Sequence, residues 1–377
     1  MLNNKFGHYR LLSVGYKAFF PTKLPVKLDL SDLYNLLSEA DRAVGALSNA
    51  ELLIPNFSLI IQRYAQKEAL LSSQIEGTQS SFTELLLNDQ EKTDVREVKN
   101  YFSALNYGIN KIKEEKFPLC LRLLKEMHSI LMNDVRGGEA AKVPGEFRKS
   151  QNWIGGSNPE NALFVPPPFY DVDDLMGNLE KYFYLKDLPP LIKCAIIHYQ
   201  FETIHPFCDG NGRLGRMLII LYLICEGLLL SPILYLSLYF KAYRDEYYDN
   251  LMVVRNNGGI KKWLRFFLKG IISTAKQVGD TTNRIIALGN QDKDKIKNSS
   301  KNHSAYSYQL LDLILKDPIV SIIDVKEGLD VTYPTARIVV KYFEDLRILK
   351  QISKGNRNKK YAYSQYIQIL DEGCENL

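Results

Sequence analysis

The sequence predicts a mainly α-helical bundle interrupted by one β-hairpin and followed by a small α+β domain. Three observations carry that prediction. From Ser58 to Ile272, stretch after stretch places apolar residues at helical spacing. One segment, 144–168, breaks this texture with strand formers set between glycines and prolines. After a polar run at 289–304 the pattern restarts as three short helices and then two strands. The expected organisation is an N-terminal helical region over 1–112, a core over 113–288, a polar linker over 289–304 and a small domain over 305–377.

Composition excludes several classes. The 377 residues are 46% hydrophobic and 24% charged, the balance of a water-soluble globular protein. The longest apolar run, Met217 to Ile224, is too short to span a bilayer, and the N-terminus has no apolar signal core. The five cysteines, Cys120, Cys194, Cys208, Cys225 and Cys374, show no paired spacing, so a reducing cytoplasm is the expected setting and no membrane association is expected. A net charge of +5 spread over this length says little about nucleic acid.

In order along the chain, Pro21 and Pro25 break the first fifty residues. Ser31 then reads as an N-cap for a helix carrying Leu33, Leu36, Leu37 and Ala40. The next helix runs from about Ser58 to Glu76, with Leu59, Ile60, Tyr64, Leu70, Leu71 and Ile75 inward and Gly77 as its stop. Glu76 sits where the helix dipole disfavours a carboxylate by ~0.3–1 kcal/mol. It is therefore either solvated or paired with a cation from elsewhere. Helices are expected over 97–112 and 119–132, the second carrying His128 as a packing residue. The stretch Pro144 to Gly156 reads as a hairpin, and Phe164-Val-Pro-Pro-Pro168 as extended chain. Helices follow over 173–184, 191–202 and 261–272, with Trp263, Phe266 and Phe267 inward in the last.

The stretch with chemistry in it is His205-Pro-Phe-Cys-Asp-Gly-Asn-Gly-Arg-Leu-Gly-Arg216. Gly210, Asn211 and Gly212 form a turn that opens the apolar helix beginning at Met217 or just before it. Unpaired N–H groups and the helix dipole make such a start an anion site. Arg213 and Arg216, three apart, share one face of the first turn and suit a polyphosphate. Asp209 at the entrance is a hard oxygen donor of the kind Mg²⁺ needs beside phosphates, and His205 is placed to accept a proton. Each feature alone is commonly structural. All of them within twelve residues point to a nucleotide site.

This stretch resembles the Fic signature, His-x-Phe-x-Asp/Glu-Gly-Asn-Gly-Arg-x-x-Arg, and matches it at every specified position. The resemblance implies a Fic-type bundle that transfers AMP from ATP, with Mg²⁺, to a hydroxyl side chain of a target protein and to itself. It implies His205 as base, Asp209 as metal ligand, and an ATP site on Gly210, Asn211, Gly212, Arg213, Leu214, Gly215 and Arg216. Tyr247 and Tyr248 fall where Fic relatives contact the base, although a tyrosine pair is equally ordinary core. Ser72-Ser-Gln-Ile-Glu76-Gly77 resembles the inhibitory motif of the Fic class whose inhibitory helix is N-terminal. There the glutamate, here Glu76 with Ser72 and Gly77, pairs with the second signature arginine, here Arg216. Gln151, Asn152, Trp153, Ile154 and Gly155 resemble the flap that aligns the target segment, with Trp153 and Ile154 also fit to pack on the core.

The last domain resembles a winged helix, with helices over 306–315 and 322–329 and a third opened by Thr332 or Thr335. Two strands then flank a basic turn holding Lys350, Lys354, Arg357, Lys359 and Lys360. Residues 301–377 nevertheless hold 11 Lys/Arg against 10 Asp/Glu, so protein docking or a homodimer is favoured over DNA. The alternatives to AMP transfer are transfer of another phosphate-containing group and a winged-helix regulator that uses nucleotide binding as a signal.

Overall fold

A computed structural model gives the protein's structure and describes residues 5–375 except 54–57, 88–92, 136–142, 300–303 and 354–358. The chain opens with an antiparallel hairpin, β1 (Gly7–Leu11) and β2 (Lys17–Pro21), in register Gly7 to Pro21. Sequence patterning marked only the proline breaks at Pro21 and Pro25 here. The outer face of β1 is exposed at four of its five residues, which blurs the alternation. Ser31 does not cap the first long helix. It lies in a single 3-10 turn over Ser31–Leu33, its N–H given to Asp29 Oδ1 (3.0 Å), and α1 (Tyr34–Leu53) begins after it.

The body consists of α2 (Ser58–Ile75), α3 (Phe82–Leu87), α4 (Thr93–Lys113), α5 (Leu121–Leu131), α6 (Val172–Phe183), α7 (Pro190–Ile204), α8 (Asn211–Cys225), α9 (Ser237–Ala242), α10 (Arg244–Asn257) and α11 (Ile260–Asn298). Proline at the first position of α7 is pre-set for helix and lacks the N–H that would go unpaired. Helix α7 is buried at every position from Leu191 to Ile204, and α8 from Arg213 to Ile224. Helices apolar all round belong at the centre of a bundle, and here they pack on each other with α2, α4, α5, α6 and α11 around them. Trp263 of α11 ties this core by donating Nε1–H to the Ala195 carbonyl (2.9 Å). The loop between the two central helices carries the signature, so it is held on both sides by the most buried part of the protein.

The stretch 289–304, expected as a linker, is helical as far as Asn298; 300–303 lie outside the described residues. The reason is one-sided burial. Asp292 and Ile296 face inward, Asp292 accepting the Tyr363 hydroxyl (2.5 Å) and pairing with Lys295 (2.6 Å). A sequence polar on three sides hides a single packed stripe. The C-terminal module then comprises α12 (Ser304–Lys316), β3 (Ile319–Ser321), α13 (Ile322–Leu329), α14 (Tyr333–Asp345), β4 (Lys350–Gln351), β5 (Lys360–Ala362) and α15 (Ser364–Asp371). Its antiparallel sheet has the order β3-β5-β4. Strand β3, three residues long, gave no sequence signal. Ser321 closes a capping box with Asp324, and Thr332 caps α14. The basic turn holding Lys354 and Arg357 lies outside the described residues.

This module packs on α2. Arg63 pairs with Asp317 (2.6 Å), Lys67 donates to the Glu372 carbonyl (2.6 Å), and Gln74 Nε2 donates to the Cys374 carbonyl (2.9 Å). Lys241 of α9 completes the cluster, donating to Gln74 Oε1 (2.8 Å) and to the Glu375 carbonyl.

Candidate active site

His205 caps α7 in the left-handed region, φ 50 and ψ 60. A non-glycine residue holds such a backbone only where its surroundings over-determine it. Here Arg148 Nε (2.9 Å) and Asn152 Nδ2 (3.3 Å) both donate to the His205 carbonyl, and the Arg148 N–H donates to the Pro206 carbonyl (2.9 Å). Burial, and then the cations of Arg255 and Arg148, push the His205 pKa down to about 4. The imidazole is therefore neutral at pH 7 and able to accept a proton. Its Nδ1 is buried, which leaves Nε2 as the nitrogen to meet a substrate.

The loop that follows is closed by its own residues. Asn211 Oδ1 accepts the Phe207 N–H and Asn211 Nδ2 donates to the Phe207 carbonyl, both at 2.8 Å. This side chain is spent on the turn, so the expected contribution of Asn211 to a phosphate reduces to its backbone N–H. Phe207 is buried between the rings of His128 (centroids 3.8 Å apart) and Phe147 (5.2 Å). Asp209 is 45% exposed in its side chain, with Oδ1 accepting the Gly210 N–H (2.6 Å) and standing 3.7 Å from Arg213 Nη2. Gly210, φ 75, stands at the cap just before α8, and a Cβ there would fall 2.7 Å from the Met132 sulfur.

The two arginines of the first turn are both buried and have different partners. Arg213 pairs with Glu97 Oε2 of α4 (3.2 Å). Arg216 donates Nη2–H to Glu76 Oε1 (2.7 Å) and to the Ser72 carbonyl (2.9 Å), and Nε–H to Ser72 Oγ (2.7 Å). Burial alone would lower the Arg216 pKa, but the Glu76 carboxylate beside it reverses this and raises it above the ordinary value. Glu76 stands just beyond α2, in a turn with Gly77 at φ +97. Its carboxylate lies on the start of α8: a Cβ on Gly212 would fall 2.3 Å from Glu76 Oε1. Leaving the C-terminal end of its own helix, Glu76 thus occupies the favourable N-terminal end of another.

Other expected positions divide. Leu214 is fully buried in the core, so its side chain is not available to a nucleotide. Gly215 faces Glu202, whose Oε1 stands 2.3 Å from where a Cβ would be. Tyr247 is 1% exposed, with its hydroxyl 2.8 Å from His198 Nε2 and its ring stacked on Phe240 (centroids 4.5 Å apart), so it is core. Tyr248 is 37% exposed. Its pKa is raised to about 12 by burial and then by Glu76, which puts it beside the Glu76–Arg216 pair.

The flap is less regular than a two-stranded hairpin. One antiparallel bridge joins Ile154 and Phe164 (N–H to carbonyl, 2.8 and 3.1 Å), and 155–163 form turns. Glycines at 155 and 156 with positive φ, and the Asn158 and Asn161 side chains bonding their own turn, keep the strands from extending. Gln151 Nε2 reaches the Pro166 carbonyl (3.1 Å) and Asn152 Nδ2 the Phe207 carbonyl (3.0 Å), while Trp153 is 40% exposed. A cleft of about 480 Å³ lies between flap and loop, with Asn152, Trp153 and Cys208 among its walls.

Sequence reasoning missed Arg148, Glu97 and Glu202, and gave His128 packing alone. Arg148 was visible only as one cation in the hairpin, yet it reaches the carbonyls of Ser150, Pro167, Ile204 and His205. His128 Nε2 lies 3.0 Å from the Asp209 carbonyl, and its Nδ1 accepts the Gly145 N–H (2.9 Å). Burial holds its pKa at about 4, and burial lifts that of Glu202 to about 7. Among the described residues, no cluster of three or more His, Cys, Asp or Glu forms a self-sufficient metal cage, and no helix is long and apolar enough to cross a membrane.

The Fic/DOC family model matches residues 118–223, and the Fic/DOC family N-terminal model matches 34–110. Protein adenylyltransferase Fic of Aedes aegypti is 29% identical over 218 residues, 54% of this chain and 40% of that protein. The protein of the same name from Drosophila willistoni is 32% identical over 166 residues, 43% of this chain and 30% of its own length. The chain thus spans less than half the length of these curated relatives. Among solved structures, a Fic family protein from Desulfovibrio desulfuricans superposes with a TM-score of 0.58 at 19% identity, over 90% of this chain and 98% of that one. Fic-1 (aa134 - 508) from C. elegans gives 0.53 at 19%, over 67% and 75%. The two family-model matches cover the helix that ends just before Glu76 and the loop and helix that carry His205 to Arg216.

Proposed function

We propose that this protein transfers AMP from ATP to a hydroxyl side chain of a target protein, and to itself, and that Glu76 restrains the reaction. The observation that carries the reading is the assembly on one helix start: neutral His205, Asp209, the first N–H groups of α8, and two buried arginines of which one is held by Glu76. The relatives named protein adenylyltransferase support the same chemistry.

The N–H groups of Asn211, Gly212 and Arg213 cradle the phosphates, and Arg213 and Arg216 neutralise them. His205 Nε2 takes the proton as the target oxygen bonds to the α-phosphorus, the bond to the bridging oxygen breaks, and pyrophosphate leaves with its electron pair. Positioning and charge stabilisation supply most of the acceleration. Asp209 offers a single hard carboxylate. This fits Mg²⁺, which takes one or two protein carboxylates and completes its shell with phosphate oxygens and water. The ion would neutralise charge on the phosphates. Tyr248, not Tyr247, is the ring available to a purine. Flap residues Gln151 to Gly155 present backbone to the target segment.

For the C-terminal module we favour the winged-helix reading with protein docking over DNA. Lys341 on α14 is paired with Asp345 (3.2 Å) and Glu344 (3.9 Å), which leaves that helix poorly suited to phosphate.

Transfer of label from α-³²P-ATP tests the proposal. His205→Ala should cut the rate by ~10²–10⁴, the usual worth of a general base, with ATP affinity within about twofold of the parent. Because His205 titrates near 4, the rate should hold as pH falls through 6.5 and drop only as it nears 4. A parent-like rate in His205→Ala rejects His205 as the base, whereas an acid limb at 6.5 rejects only the lowering of its pKa.

A further inference from the structure

His128 lies on α5, outside the signature, and holds two parts of the site at once. Its ring is buried and stacked on Phe207 at an interplanar angle of 11°. Nδ1 accepts the Gly145 N–H (2.9 Å). A backbone N–H only donates, so Nδ1 carries no proton and the ring proton is on Nε2. Nε2–H then donates to the Asp209 carbonyl at 3.0 Å. Gly145 is itself placed by close approach, since with φ +82 a Cβ would fall 3.1 Å from the Lys125 carbonyl of α5. Gly145 begins the chain that leads through Arg148 to the flap, and Asp209 is the entrance of the phosphate loop.

We propose that His128 is a positioning residue that couples the metal corner of the loop, at Asp209, to the root of the flap, at Gly145. The proposal rests on the adenylyltransferase reading for the meaning of the Asp209 corner, but its two hydrogen bonds can be separated without any transfer assay. Packing alone would be served by any flat apolar ring. Two bonds of opposite sense, one given and one accepted by a single imidazole, fix the ring's rotation and with it the height of the Asp209 backbone above Phe207. The side chain that would meet Mg²⁺ is thereby set from α5 rather than from the loop.

Two isosteric halves of histidine divide the role. Asparagine carries its amide at the position of Nδ1 and can accept from Gly145, with nothing at Nε2. Glutamine carries its amide at the position of Nε2 and can donate to Asp209, with nothing at Nδ1. In the full chain, His128→Asn should weaken ATP binding in Mg²⁺ by about tenfold, the usual worth of one hydrogen bond. ATP binding in EDTA, and amide exchange in the peptide spanning Gly145, should stay at parent values. His128→Gln should do the reverse: about tenfold faster exchange at Gly145, with Mg²⁺-dependent ATP affinity within about twofold of the parent. Calorimetry and exchange mass spectrometry read the two arms. Both variants losing both properties in parallel, or failing to fold alike, assigns His128 to packing and overturns the proposal. Neither variant changing either property overturns it too. If the parent itself binds no ATP, the adenylyltransferase reading fails instead, and the exchange arm still decides whether His128 holds the flap root.

Discussion

Two buried arginines on one turn of α8 sit in ion pairs 3.2 and 2.7 Å long, and their partners are mounted differently. Arg213 meets Glu97, within the first turns of the 21-residue helix α4, with a side chain only 11% exposed. Arg216 meets Glu76, one residue past the end of α2, in a turn with Gly77, and 36% exposed. The first pair is framework, because Glu97 cannot leave without moving α4. The second can be undone by turning a few backbone angles at Ser73 to Gly77. Chemically equal pairs thus differ in what they permit: one fixes charge, the other can be exchanged for a phosphate.

That contrast can be broken in three ways. The largest expected effect is at the fixed pair. Glu97→Gln leaves the buried Arg213 guanidinium only the half-exposed Asp209 carboxylate, 3.7 Å away, and breaking a buried pair from one side costs up to ~3–5 kcal/mol. Denaturant unfolding should show that loss, with no rise in AMP transfer. A stable and faster Glu97→Gln protein would make the two corners alike. Next comes the displaceable pair. Glu76→Gly frees Arg216, and a hydrogen bond to a charged group is worth ~1.5–3 kcal/mol, so self-labelling with ATP and Mg²⁺ should rise by roughly ten- to a hundredfold. Adding Arg216→Ala should remove the gain; if the gain survives, Arg216 is not the partner through which Glu76 acts. The smallest effect sharpens the boundary of the site. Tyr247→Phe should cost ~1 kcal/mol of stability through the lost bond to His198, with unchanged ATP affinity. Tyr248→Ala should weaken ATP by several-fold, in keeping with ~1 kcal/mol for an aromatic contact. Equal losses of affinity at both tyrosines would return Tyr247 to the nucleotide.

Much of this was legible in the sequence because local rules agreed with the fold. Periodicity marked the helices, Gly77 marked the end of α2, and the glycines of the loop marked the start of α8. The Glu76–Arg216 pairing, across 140 residues, came from the family resemblance rather than from any local pattern. What failed was long-range burial. Nothing near Tyr247 says that His198 and Phe240 will enclose it, and nothing near Asp292 says that Tyr363 will reach it. Arg148 and His128 act by hydrogen-bonding carbonyls and an N–H of distant segments, groups that every residue has and that leave no mark in composition. The irregular flap has a nearer cause: two left-handed glycines and two asparagine turns outweighed the strand propensity of Trp153 and Ile154.

The grip of residues 372–375 on α2 has a mechanical meaning. Lys67 and Gln74 hold the carbonyls of Glu372 and Cys374, and Lys241 joins Gln74 to Glu375. Gln74 is two residues from Glu76. The helix is therefore a lever clamped at its outer end, with Glu76 at its tip and the hinge at Gly77. Swinging the whole lever away from Arg216 tears residues 372–375 from their seat. Bending only the tip leaves them in place. Tension applied to residues 372–375 is accordingly carried to the turn that holds the carboxylate.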